Sequence, residues 1–228
     1  MNMHLTSRTR ARWSGLAAGL LALTSFARAQ TVEFNAGSTG ALGDVVITND
    51  TQIVLPADGV LHYKSFTIVS NAAVSFIKNA NNTPVYLLSQ GEVTIGGRIY
   101  VSGGGSGGDR GPGLGGIGGF DGGRRGVDEL PPGDGQGPGG GLAGTETDSS
   151  DPESAGSGSF LTMKGNGSTN LGAIYGNAAL IPLIGGSGGG GTPTFGGGGG
   201  GGAILIASNS KITINHDGTS FIAATGGE

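Results

Sequence analysis

Six aspartates lie among glycine and serine residues in the middle of the chain, where carboxylates could bind calcium. They are Asp109, Asp121, Asp128, Asp134, Asp148 and Asp151. Ca²⁺ takes flexible oxygen ligands, which makes Asp121 and Asp128 the candidate metal ligands. The glycine- and aspartate-rich nonapeptide of calcium-binding β-rolls is not repeated, since residues 118–121 match it only once. A solvated acidic loop over residues 127–153, which hold seven acids and no base, is the competing interpretation.

Residues suited to catalysis are sparse. Enzymes of the β-helix type that cleave acidic polysaccharides use clustered aspartates as calcium ligands or as a paired general acid and base. The strand-like segments carry almost no acids, and the histidines after residue 30 are His62 and His216. No Gly-x-Ser-x-Gly sequence is followed by a helical pattern, and no phosphate-binding Gly-Lys-Ser/Thr motif occurs. We therefore expect a protein that is not an enzyme, with a polysaccharide lyase or hydrolase as the alternative.

The segment 1–29 has the pattern of a cleavable signal peptide. Arg8, Arg10 and Arg12 precede an apolar run over residues 13–26, and Ala27 and Ala29 supply the small residues of a cleavage site before Gln30. An apolar run of this length is too short to cross a bilayer of ~30 Å. The sequence thus predicts a secreted or cell-surface protein with no membrane span after cleavage.

Charge and cysteine content limit the partners and the sources of stability. Cleavage would remove four arginines and no acid, leaving eight basic residues against sixteen acidic ones, a net charge near −8. Nucleic acids and anionic lipids are disfavoured as partners because both are polyanions that need clustered Lys and Arg. The chain has no cysteine, so disulfides cannot support the exported fold.

An internal repeat of strand-like segments is the clearest structural signal. Residues 85–95 match residues 204–214 without a gap, and a weaker, earlier copy aligns Ile68 with Ile95. Earlier segments at 44–48, 52–55 and 60–63 have the same alternating β-branched pattern. Strand repeats without a helical period predict an all-β parallel β-helix or solenoid. A β-sandwich or meander is the structural alternative. In the repeat, Thr67, Thr94 and Thr213 share one position and would form an outward row.

Between the matched copies lies a glycine-rich insert over residues 103–202, which contains 40 of the 52 glycines. One interpretation is a disordered low-complexity segment. The other is close backbone packing of extended chains with three residues per turn, which glycine permits. The apolar stretch 171–184 is expected to pack on the solenoid or on a partner. The predicted organisation is a signal peptide (1–29), a first solenoid part (30–102), the partly irregular insert (103–202) and a last rung (203–228) that ends as if truncated.

Several motifs resemble a family of secreted glycine-rich β-solenoid proteins of Gram-negative bacteria. The similar stretches are residues 82–88, 93–95, 118–123, 184–191 and 202–208. The resemblance implies export and a β-solenoid, and it provides no catalytic residues.

Together these observations predict an exported, non-enzymatic structural or adhesive protein. We expect polysaccharide or other cell-surface components as its partners, with multivalent weak contacts along a rigid body. No cofactor is expected apart from the calcium considered above. Self-association is a further expectation, because uncovered strand edges pair readily with other strands.

Overall fold

Short β-strands make up the regular structure in a computed structural model of the protein. It describes residues 33–106, 111–145, 153–162, 168–215, 218 and 220–227. The predicted signal peptide and His216 lie outside these residues. Eleven strands and no helix occur within them. The strands are β1 (Asp44–Ile47), β2 (Thr51–Val54), β3 (Val60–Tyr63), β4 (Ser65–Ile68), β5 (Ala73–Ile77), β6 (Val85–Ser89), β7 (Val93–Ile95), β8 (Arg98–Tyr100), β9 (Ile204–Ser208), β10 (Ile212–Ile214) and β11 (Phe221–Ala223).

The strands form three parallel sheets, and each sheet takes every third strand of the chain. Their orders are β1-β4-β7-β10, β2-β5-β8-β11 and β3-β6-β9, and every strand pair in them is parallel. A meander needs antiparallel neighbours joined by short turns, so that alternative does not describe these sheets. The fold is all-β with parallel sheets, an arrangement compatible with the predicted β-helix.

The internal repeat corresponds directly to strand pairing. Val85 of β6 pairs with Ile204 of β9, and the register continues to Ser89 opposite Ser208. Ile95 of β7 pairs with Ile214 of β10 and also with Ile68 of β4, which belongs to the weaker copy. The matched segments are therefore neighbours in the same sheets, although the whole insert separates them in sequence. The predicted register of the repeat is confirmed.

The core lies between the three sheets and is built from alternate strand positions. Its fully buried side chains are Phe66, Ile68, Val74, Val85, Leu87, Val93, Ile95 and Ile99. Alternation follows from the pleat, which points successive side chains to opposite faces. Where β6 and β9 end, two inward serines replace apolar residues: the Ser89 hydroxyl donates to the Lys64 carbonyl (3.1 Å) and the Ser208 hydroxyl to the Gly91 carbonyl (2.7 Å). The Lys64 carbonyl also accepts the Gly91 N–H (2.6 Å), so the two serines add hydrogen bonds at the turns where these strands end.

Tyr63 is a core residue that can ionise, and it predicts a loss of stability in alkali. Its side chain is 3% exposed and packs on Phe66 with ring centroids 4.7 Å apart. Burial raises the pKa of Tyr63 from 10.0 to about 12, because the phenolate would be poorly solvated. The unfolded chain ionises this phenol near pH 10 and the folded chain does not. Its contribution to stability is thus complete below pH 10 and is lost as the pH rises toward 12.

In a titration followed by tyrosine absorbance, one phenol should therefore ionise at a pH well above 10, and the variant Tyr63→Phe should lack this step. Tyr63→Phe should also be less sensitive to alkaline unfolding than the wild type. Ionisation of all tyrosines near pH 10 in the folded protein would contradict the burial of Tyr63.

The glycine-rich insert leaves the sheets after β8 and returns at β9. It has no assigned β-strand among its described residues, yet its backbone hydrogen bonds recur at every third residue. In one series the N–H groups of Phe120, Gly123 and Gly126 donate to the carbonyls of Gly186, Gly189 and Thr192. In another, the N–H groups of Gly186, Gly189 and Thr192 donate to Gly201, Gly198 and Phe195.

This interval indicates extended chains with three residues per turn, which cannot bond internally and must bond to neighbouring chains. Close packing is therefore the interpretation that holds for the described part of the insert. Among its glycines there, only Gly118 and Gly137 have φ in the left-handed region.

The apolar stretch 171–184 packs on the rest of the protein only in part. Tyr175 stacks edge-to-face with Phe160 (5.3 Å between centroids), and its hydroxyl donates to the Gly185 carbonyl (2.6 Å). Leu180 and Ile181, at the far end of the stretch, are 48% and 75% exposed. Phe160 and Gly185 both belong to the insert, so these contacts do not bear out the expectation that the stretch packs on the solenoid, and packing on a partner stays a prediction.

Candidate functional site

The two predicted calcium ligands occupy different settings. The Asp121 carboxylate accepts the Gly115 N–H (2.7 Å) and lies 3.7 Å from the Lys78 ammonium. Asp128 is exposed, has φ of 52° and lies in the turn between the bridged residues Val127 and Leu130. No group of three His, Cys, Asp or Glu side chains that could hold a metal ion occurs within the described ranges. Calcium binding by Asp121 and Asp128 stays a prediction, and the polar contacts of Asp121 account for its position without a metal.

His62, for which the sequence indicates no catalytic partner, contacts backbone in the structure. It faces outward from β3, half-buried, and its Nδ1 accepts the Thr39 N–H at 3.2 Å. This contact fixes the segment that precedes β1. It gives the imidazole no carboxylate of the kind that orients a general base.

A flat polar surface on the outside of the β1-β4-β7-β10 sheet is the most regular feature that could bind a ligand. Thr67, Thr94 and Thr213 lie opposite one another on adjacent strands, as the repeat predicted. Adjacent strands are ~4.8 Å apart, so the row places a hydroxyl at each such step. Val46, opposite Thr67 on β1, ends the row and is 60% exposed. We call these four residues, with the row described next, the threonine face.

A second polar row runs beside the threonines, two residues earlier in each copy. It consists of Asp44, Ser65, Glu92 and Lys211. The Ser65 hydroxyl donates to Asp44 (2.7 Å), and the Lys211 ammonium lies 3.1 Å from the Glu92 carboxylate. Sequence reasoning missed this row, although its spacing from Val46, Thr67, Thr94 and Thr213 could have revealed it. The two rows make a surface of hydroxyls and paired charges.

Glu92 connects the two rows electrostatically. Its carboxylate accepts hydrogen bonds from the hydroxyls of Thr94 (3.2 Å) and Thr213 (3.4 Å). The hydrogen bond from Lys211 is the main reason that the pKa of Glu92 is lowered, and these hydroxyls lower it further. These contacts favour the ionised carboxylate, and all three of them involve its Oε1 atom.

Aromatic side chains lie on the outer faces of the other two sheets. Tyr100 of β8 packs edge-to-face on Phe221 of β11, with centroids 5.5 Å apart, and Phe221 is 40% exposed. Tyr86 of β6 is half-buried and lies between Val60 and Leu205 on the neighbouring strands. These pairs offer small apolar patches that are separate from the threonine face.

No helix in the described part of the chain is long and apolar enough to cross a membrane. No protein-family model matches the sequence, and neither the curated proteins nor the solved structures include a significant match to it.

Proposed function

We propose that the protein is an exported structural or adhesive component of the cell surface or extracellular matrix, and that it binds polysaccharide without catalysis. Its three sheets are, in this proposal, the faces of a parallel β-helix, with β1–β3, β4–β6 and β7–β9 as successive coils. The strand order and the parallel register support this reading. A rigid body of this kind presents the same side-chain position repeatedly at a fixed distance.

The observation that carries the proposal is the regularity of the threonine face. Hydroxyls of Thr67, Thr94 and Thr213 recur on successive strands, and polymer chains with regular hydroxyl groups can bond to several of them at once. Each contact contributes about 0.5–1.5 kcal/mol, so that useful affinity needs the whole row. The paired charges of Glu92 and Lys211 leave the face without a strong field of either sign.

Binding of the mature chain to a glycan array and to insoluble polysaccharides tests the proposal. The triple variant Thr67→Val, Thr94→Val, Thr213→Val removes three hydroxyls while keeping the β-branched shape, and we expect it to lose at least about tenfold in affinity. Ser75→Ala, on the outer face of the neighbouring sheet, is the matched control and should bind as the wild type does.

Equal binding by the triple variant and the wild type would show that polysaccharide does not bind at the threonine face. A cell-aggregation assay addresses adhesion separately. Wild-type protein that is inactive in both assays would leave only a passive structural role.

A further inference from the structure

An open groove of about 1240 Å³ runs along the glycine-rich insert. Its walls come from residues 155–160, 183–187, 189–190, 196–204, 224 and 226–227, with Leu180 at one margin. Most of the lining is backbone, because 196–202 are all glycine. The groove lies among extended chains that bond to one another at every third residue, and the surrounding hydrogen bonds define what it can accept.

Segment 196–202 has hydrogen-bonded neighbours on five sides. The N–H groups of Gly197 and Gly200 donate to segment 117–126, and those of Gly199 and Gly202 to segment 101–104. Its carbonyls accept from segments 111–116, 184–192 and 223–227. The N–H groups of Gly198 and Gly201 have no acceptor among the described residues. In an extended chain with three residues per turn, residues that are three apart point in the same direction. The N–H groups of Gly198 and Gly201 therefore point the same way.

Segment 184–192 shows the complementary pattern. The carbonyls of Gly186, Gly189 and Thr192 accept from segment 117–126, and those of Gly188 and Gly191 accept from segment 141–144. The carbonyls of Ser187 and Gly190, again three residues apart, accept no hydrogen bond from any residue that the structure describes. One row of free donors and one row of free acceptors therefore remain on two adjacent segments.

The order of the neighbours places both rows at the groove. Around segment 196–202 the bonded neighbours follow one another as 184–192, 117–126, 111–116, 101–104 and 223–227, because each consecutive pair is itself hydrogen-bonded. Packed chains of this kind have six neighbours, and the sixth position falls between 223–227 and 184–192. Both of these segments line the groove. The groove is thus a strand position in the bundle that no segment among the described residues fills.

The room around the glycines of segment 184–190, which forms the floor of the groove, agrees with a strand position there. A Cβ atom added to Gly186 would come no closer than 3.4 Å to another atom, and one added to Gly189 no closer than 3.5 Å. The adjacent Gly185, Gly188 and Gly190 would each bring a Cβ into overlap with a backbone carbonyl of a neighbouring segment. Gly186 and Gly189 could therefore each carry a methyl group in ordinary van der Waals contact, on the side that an added strand would occupy.

We propose that this groove binds an extended glycine-rich strand of a separate partner polypeptide, with three residues per turn and glycine at every third position. Its carbonyls accept the N–H groups of Gly198 and Gly201, and its own N–H groups donate to the carbonyls of Ser187 and Gly190. Both rows repeat every ~9.3 Å, the rise of three residues in such a chain. Glycine is needed where the partner faces Gly186 and Gly189, because backbones in this bundle approach too closely for a side chain.

A peptide fits this pattern better than a sugar polymer, since only a polypeptide supplies donors and acceptors in strict alternation at that period. A separate chain is favoured over a second copy of this protein. The described glycine-rich segments of a copy are already bonded within their own bundle and would have to be released first. The site does not depend on the adhesive role proposed above, and it lies outside the threonine face.

Binding of a labelled (Pro-Gly-Gly)₅ peptide to the mature protein, followed by fluorescence anisotropy, tests the site. The proline ring locks φ in the range of the extended three-residue turn and so prepares the peptide for binding. We expect saturable binding, and slower amide exchange at Gly198 and Gly201 when the peptide is present. The matched peptide (Pro-Ala-Ala)₅ has no glycine, so a side chain faces Gly186 and Gly189 in every register, and it should bind at least tenfold more weakly.

The double variant Gly186→Ala, Gly189→Ala places two methyl groups in the groove and should weaken binding of (Pro-Gly-Gly)₅ at least tenfold while melting within a few degrees of the wild type. Gly104→Ala, where an added Cβ also makes only ordinary contact but lies outside the groove, is the control and should leave binding unchanged. Absence of peptide binding, equal binding by the double variant, competition by oligosaccharides at this site, or dimerisation abolished by the double variant would each overturn the proposal.

Discussion

Gly190→Ala should destabilise the protein by about 1–3 kcal/mol, the usual range for inserting atoms into a packed interior. A Cβ at this position would overlap the carbonyl oxygen of Leu142, which belongs to a neighbouring backbone segment and not to a flexible side chain. The obstacle cannot rotate away, so two hydrogen-bonded chains must separate. Gly122→Ala should behave in the same way, because its Cβ would overlap the Gly197 carbonyl.

Gly189→Ala is the matched control, one residue away in the same segment. Its added Cβ makes only ordinary contact, at 3.5 Å from the nearest atom, and its φ is not left-handed. Alanine restricts the unfolded chain more than glycine does, so this variant should be neutral or up to about 1 kcal/mol more stable. Thermal unfolding followed by circular dichroism measures both, and 1 kcal/mol corresponds to a shift of about 2–4 °C in Tm for a chain of this size.

A loss of stability for Gly190→Ala together with no loss for Gly189→Ala would be strong support for close packing. A loose glycine-rich loop would tolerate alanine equally at both positions. Equal melting of Gly190→Ala, Gly189→Ala and the wild type would contradict the packing of the insert. The comparison isolates sterics, because the two substitutions change composition and unfolded-state entropy identically.

The sheets could be predicted from the sequence because the matching side-chain patterns of the repeat copies indicate which residues pair across strands. Val85 and Ile204 begin two segments that match residue by residue, and the same residues pair across β6 and β9. Burial of one face makes a slip of one residue costly, so alternating apolar positions are retained in each copy. The division of the matched stretch into two strands was not foreseen. It occurs where Gln90 and Gly91 bond back to Tyr63 and Lys64 at a corner between sheets.

The insert could be anticipated only as one of two alternatives. A run of glycines has no side chains, so nothing in 196–202 distinguishes the neighbour of Gly197 from the neighbour of Gly199. In the structure those two amides bond to different segments, at Gly123 and Gly104. The information that selects neighbours comes instead from the anchored ends, where Val101 and Ala203 join the sheets. Local patterns cannot report such an arrangement.

Site prediction was strongest where a residue type recurred at one repeat position. Thr67, Thr94 and Thr213 were placed in one outward row by the match alone, and the register confirms it. The prediction of Asp121 and Asp128 as calcium ligands rests on composition and not on a repeat position. Composition does not show whether two carboxylates meet, and Asp121 instead bonds to the Gly115 amide. The groove could not be predicted from the sequence. It is defined by backbone N–H and carbonyl groups that have no hydrogen-bond partner among the described residues, and the sequence does not show which groups these are.

Leu87→Ala should cost about 2–5 kcal/mol, whereas Leu88→Ala should cost less than about 1.5 kcal/mol. The two leucines are adjacent in β6 but face opposite sides of the sheet. Leu87 is 0% exposed and pairs with Leu61 and Ile206, while Leu88 is half-buried on the outer face.

Removing Leu87 therefore leaves a cavity between all three sheets, and the parallel ladders on both sides of β6 hold the backbone so that it cannot collapse into the space. Chemical denaturation gives both values in one experiment, and the unchanged denaturant slope would show that the unfolding reaction is the same. Because both variants remove the same atoms, their difference measures orientation alone. A larger loss for Leu88→Ala would mean that β6 is displaced by one residue, and the pairing of the two repeat copies would then be wrong along its whole length.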